Sequence, residues 1–87
     1  MTYGPYDNIP KLPVLSANKV VKALKRAGFE VVRQSRSHIH LWLKEKRTLV
    51  TVPNHNELAK GTLIAIIKQS KMERDEFFSY VRKKIKK

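Results

Sequence analysis

The sequence predicts an α+β domain, a two-layer sandwich in the order α-β-β-β-α with an additional C-terminal helix. Three observations carry this. Val20, Leu24 and Ala27 fall at helical spacing, with Val21 widening the stripe. Phe29 to Gln34, Ser37 to Leu43 and Thr48 to Val52 are short runs rich in β-branched and aromatic residues, joined by turns too short for anything but antiparallel pairing. Leu63, Ile66 and Ile67, then Phe77, Phe78, Val81 and Ile85, return to helical spacing. Strands run together with helices before and after them place both main helices on one sheet face and leave the other open.

Residues 1–15, with Pro5, Pro10, Pro13, Gly4 and Asn8 and no period, read as an extended N-terminal arm, and residues 16–87 as a single domain with a basic tail. Ser16 is the natural N-cap of the first helix and Gly28 closes it, although Lys19 stands where a capping box would have Glu. The turn from Lys44 to Arg47 lacks Gly and Asn, so it is expected to be longer or looser than a two-residue hairpin. Pro53 ends the third strand and a polar loop follows from Asn54 to Lys60. Gly61 and Thr62 open the second helix, which Ser70 and Lys71 break. Glu73, Asp75 and Glu76 begin the last helix and Arg82, Lys83 and Lys84 end it, charges that suit the helix dipole.

Eighty-seven residues make one domain, too small for a cofactor crevice between lobes. There are no cysteines, so disulfides, thiolate metal sites and cysteine nucleophiles are excluded. The longest aliphatic stretch, Leu63 to Ile67, is far short of the ~20 residues of a membrane span. With no apolar signal core after Met1, a cytoplasmic protein with no membrane association is expected. Nineteen Lys plus Arg against seven Asp plus Glu leave a formal net charge of +12, which points to a polyanionic partner, because Lys and Arg that neutralise phosphates release bound counterions. Lys19, Lys22, Lys25 and Arg26, three or four apart, form a basic ridge on the outward face of the first helix.

His38, His40 and Trp42 alternate along the second strand and share one side, while Ser37, Ile39, Leu41 and Leu43 share the other. The aliphatic set must face the helices. Two imidazoles and an indole are thereby expected on the open face, beside Arg36 and near Arg33. A histidine among cations can act as general acid or base at a phosphodiester, the chemistry that RNA cleavage through the 2′-hydroxyl requires. A polar residue on a solvated strand is the other reading of each. A metal site of His38, His40 and His55 is disfavoured by the surrounding positive charge, so no metal or cofactor is expected. His55, in the loop after Pro53, reads as structural, in contact with the first helix. Trp42 reads as a partial cover of the sheet or a partner anchor.

The run Lys22-Ala23-Leu24-Lys25-Arg26-Ala27-Gly28-Phe29-Glu30, then Ser37-His38, Val52-Pro53 with His55, Leu58, Lys60-Gly61-Thr62-Leu63 and Ile67-Lys68-Gln69 resembles the HicA family of toxin mRNA interferases, from about Ser16 to Phe78. The resemblance implies a double-stranded-RNA-binding-domain-like fold and a ribonuclease that cleaves translated messenger RNA until a HicB-like antitoxin covers it. The family's Gly-Ser-His motif carries its catalytic histidine onto His38, with Arg36 at the glycine position. A glycine there would allow a positive φ. The family's usual Asp-Gly hairpin is replaced by Lys44 to Arg47.

The reading that follows is the toxin of a toxin-antitoxin system, a metal-independent endoribonuclease with His38 as general acid or base. RNA contacts are expected from Lys19, Lys22, Lys25, Arg26, Arg33, Arg36 and His40, and antitoxin contact from Trp42 on a chain that is monomeric when free. The alternative is a non-catalytic RNA-binding module on the same surface, or a basic protein whose partner is an acidic chain.

Overall fold

The computed structural model describes residues 13–82, so most of the arm and the tail from residue 83 lie outside the described residues. The first helix, α1 (Ala17–Arg26), begins where Ser16 Oγ accepts the Lys19 N–H at 3.2 Å. It ends at Ala27, and Gly28 turns the chain back with φ +108°. A Cβ on Gly28 would sit 3.2 Å from Leu43 Cδ1, so both backbone and packing ask for glycine there.

Three strands follow: β1 (Glu30–Gln34), β2 (His38–Leu43) and β3 (Thr48–Pro53), paired antiparallel in the order β1-β2-β3. Phe29, expected in the first strand, precedes it and is buried. Ile39, Leu41, Leu43, Val50 and Val52 point inward, while the residues between them form the open face. The turn from β2 to β3 occupies four residues, with Arg47 at φ 50°. This is the looser hairpin the sequence predicts, and it places an arginine where glycine or asparagine is the usual occupant.

Helix α2 (Lys60–Ser70) starts one residue before the expected Gly61, with Ala59 as an N-cap that supplies no side-chain hydrogen bond. It stops where Lys71 enters the left-handed region at φ 63°. Ser70, buried, donates to the Ile67 carbonyl at 2.6 Å and accepts the Met72 N–H at 3.2 Å, which turns the chain into α3 (Arg74–Arg82).

Helix α1 packs on β1 and β3, α2 packs on β3, and α3 packs across α1. Val20, Leu24, Leu63, Ile66, Ile67 and Phe77 are essentially inaccessible between these elements. Each contributes about 1.5–3 kcal/mol by burial. Arg26 Nη1 donates to the Tyr80 carbonyl at 2.7 Å and so pins α3 to the end of α1. At the other end, the His55 carbonyl accepts the Ala17 N–H at 2.9 Å and the Leu15 carbonyl accepts the Leu58 N–H at 2.8 Å. The result is the expected α-β-β-β-α-α two-layer sandwich of the double-stranded-RNA-binding-domain type, with one sheet face left uncovered by the described residues.

Candidate functional site

Cross-strand register fixes what stands on the uncovered face. His40 lies between Arg33 of β1 and Thr51 of β3, and Trp42 between Glu30 and Leu49, while His38 pairs with Pro53 at the end of the sheet. Opposed residues in an antiparallel pair project to the same side. The register of β1 is shifted between Val31 and Arg33, so Val32 is an extra residue and Arg33 takes the place opposite His40.

His38 is exposed at the start of β2, just after the tight turn through Arg36 and Ser37. Its N–H donates to Ser35 Oγ at 3.2 Å, its carbonyl accepts the Ser35 N–H at 2.8 Å, and its Nδ1 shares a hydrogen bond of 3.1 Å with Ser37 Oγ. Asn54 clamps the same turn, donating from Nδ2 to the Arg36 carbonyl at 3.1 Å and from its main chain to the Ser37 carbonyl at 2.8 Å. Arg36 does not have a positive φ, so the arginine at the glycine position of the motif carries no left-handed strain.

His40 is half-buried, and its Nδ1 shares a hydrogen bond of 2.9 Å with Thr51 Oγ1. The Thr51 N–H, at the free edge of β3, donates to Gln69 Oε1 of α2 at 3.2 Å. The two imidazoles stack with centroids 6.4 Å apart and planes 23° from parallel. Among the described residues, hydrogen bonds reach Nδ1 of each ring and leave Nε2 of each uncommitted. Two such rings beside Arg33 can exchange protons with a bound phosphodiester while a cation offsets the charge that develops on it.

Thr51, Asn54 and Gln69 were not legible as site residues. Thr51 alternates with Val50 and Val52, which puts it on the open face, but only the pairing of β2 with β3 brings it to His40.

The basic ridge lies on the other layer. Lys19, Lys22 and Arg26 line, with Leu15 and Val81, a groove of about 240 Å³ on α1 toward α3, and Lys25 is exposed on the same helix. The structure therefore does not bring the ridge and the histidines onto one surface. Trp42 is half-buried and lines a cleft of about 200 Å³ with Gly28, Glu30, Lys44 and Glu45. His55 is exposed, and its contact with the first helix is made by its backbone carbonyl. Among the described residues no group of three or more His, Asp and Glu could hold a metal ion, and no helix is long and apolar enough to cross a membrane.

A family model described as the HicA toxin of bacterial toxin-antitoxin systems matches residues 17–72, more than half of the chain. The chain belongs to the HicA toxin family. No curated protein matches it. The match to HicA runs from the first residue of α1 to Met72 and so contains the sheet, both stacked histidines and Gln69, while α3 lies beyond it. As a HicA toxin the protein is the toxin of a toxin-antitoxin system, and its partner is an antitoxin.

Proposed function

We propose that this HicA toxin is a metal-independent endoribonuclease that cleaves messenger RNA, with His38 as general acid or base. The observation that carries the proposal is the holding of His38: a solvent-exposed imidazole at the mouth of the sheet, fixed by the Ser35 to Ser37 turn through backbone and Nδ1, with Nε2 uncommitted. Exposure admits a polymeric substrate, and fixation sets the direction of proton transfer. Membership of the HicA family and the net charge of +12 support RNA as the substrate.

In this reading His38 exchanges a proton with the ribose 2′-hydroxyl or the 5′-oxygen, and the Arg33 and Arg36 guanidiniums offset charge on the pentacoordinate phosphorus. Neither step requires a cofactor. Because Lys19, Lys22 and Lys25 stand on the helix layer, they gather RNA by charge and do not touch the reacting phosphate. Arg26 has its guanidinium partly engaged by Tyr80 and contributes less. A HicB-like antitoxin covers the open face, presenting acidic residues to the arginines and an apolar anchor to Trp42 and the exposed Leu49 opposite it. The toxin acts in the cytoplasm, where translated messenger is found, as a monomer when free.

The test is incubation of purified wild-type and His38→Ala protein with a long messenger RNA in EDTA, followed by sizing of the fragments. Fragments with wild type alone are expected. Intact RNA in both lanes, with RNA still bound, would replace the ribonuclease with a non-catalytic RNA-binding module.

A further inference from the structure

Cleavage of RNA through its 2′-hydroxyl needs two proton transfers at one phosphodiester. One group takes the proton from O2′ as O2′ attacks phosphorus, and another gives a proton to O5′ as the P–O5′ bond breaks. A single imidazole cannot stand at both oxygens at once.

We propose that His38 and His40 act as a catalytic pair, one as the base and the other as the acid, with Thr51 as the positioning residue for His40. This rests on the ribonuclease reading above. Four features of the structure meet here. The rings are stacked with centroids 6.4 Å apart. With a hydrogen-bond reach of about 2.6–3.2 Å from each nitrogen, both converge on one phosphodiester. Each ring is oriented in the same manner, Nδ1 tied to a hydroxyl, Ser37 for His38 and Thr51 for His40, so that each presents Nε2. Thr51 is itself tied to Gln69 of α2 through its N–H, so the support of His40 spans two elements. Arg33 stands opposite His40 on the same face, where it meets the phosphate that both rings address.

In the cleavage step O2′ loses its proton to the neutral imidazole and bonds to phosphorus, and the P–O5′ electron pair leaves with oxygen, which takes a proton from the imidazolium. The products are a 2′,3′-cyclic phosphate and a 5′-hydroxyl. Exchange of one proton with water by each ring restores the starting state.

The experiment compares single-turnover cleavage by wild type, His38→Ala, His40→Ala and His40→Gln on ordinary RNA and on RNA with sulfur in place of the scissile 5′-bridging oxygen. Sulfur leaves as a thiolate and needs no proton from the protein. A pair predicts a loss of about 10²–10⁴-fold for every variant on ordinary RNA. His40→Gln keeps an amide to hydrogen-bond with Thr51 and separates loss of proton transfer from loss of support, including where His40→Ala fails to fold. On the sulfur substrate, the variants at one of the two histidines and not the other regain most of the wild-type rate. Wild-type rates for both His40 variants beside an inert His38→Ala overturn the pair and leave the ribonuclease reading intact. Equal recovery at both positions, or recovery at neither, also overturns it. Wild-type cleavage by His38→Ala removes His38 as the general acid or base, and intact RNA with wild type defeats the ribonuclease reading itself.

Discussion

Arg33 stands directly across the sheet from His40 because Val32 is an extra residue in β1. Without that bulge the pairing from Glu30 and Val31 would continue with Val32 opposite His40, and Arg33 would turn toward the helices. An arginine turned inward would be a charge buried without a partner. The bulge instead gives the open face its cation beside the imidazoles. Arg33→Ala is therefore expected to weaken RNA binding and slow cleavage while leaving the melting temperature unchanged, since the side chain is exposed. Binding measured over a range of salt should lose about one unit of slope, the loss of one phosphate contact. An unchanged slope would remove Arg33 from the RNA surface.

Arg47 sits at φ 50° in the β2–β3 turn, a conformation that costs an L-residue about 1–2 kcal/mol. Glycine relieves that strain and gives back part of it as unfolded-chain entropy. Arg47→Gly is expected to gain about 0.5–1 kcal/mol, a rise of several degrees in thermal denaturation for a domain of this size. A lowered melting temperature would show that the Arg47 side chain supplies more than its backbone costs.

Gly28 has the opposite expectation. Its φ of +108° and the 3.2 Å approach of Leu43 Cδ1 to an added Cβ make Gly28→Ala strained in both backbone and packing. The loss is expected at about 1–3 kcal/mol, read from denaturant unfolding. No loss would mean that the end of α1 can shift without disturbing Leu43.

Trp42 and Leu49 oppose each other on the open face, with Leu49 half-exposed, beside the cleft that Glu30 and Glu45 share. Trp42→Ala is expected to weaken the complex with the antitoxin tenfold or more, about 1.4 kcal/mol or greater, because a half-buried indole at the centre of an interface is a common anchor. Calorimetric titration would measure it, and an unchanged affinity would take Trp42 out of the interface.

Much of this arrangement was legible in the sequence. The element order follows from the change of hydrophobic period, and the inward set Ile39, Leu41 and Leu43 fixes His38, His40 and Trp42 on the opposite face by alternation alone. Ser16 caps α1 as its side chain and position require. The bulge was not legible, because Glu30 to Gln34 reads as a strand with or without an extra residue, and only pairing with β2 reveals the shift. Nor was the support of His40, which depends on a register across β3 and on a glutamine eighteen residues beyond Thr51. Separation of the basic ridge from the histidines was hidden for a related reason. Helical spacing shows which residues share a helix face, but only the docking of α1 on the sheet decides which way that face looks.

Proton transfer by His38 during RNA cleavage is what the proposed function depends on most. Its most direct measurement is the single-turnover cleavage rate of His38→Ala taken together with its RNA affinity under the same metal-free conditions. The rate is expected to fall by about 10²–10⁴-fold while the affinity stays within about twofold of wild type. A variant that cleaves at the wild-type rate would contradict the account, whatever its affinity.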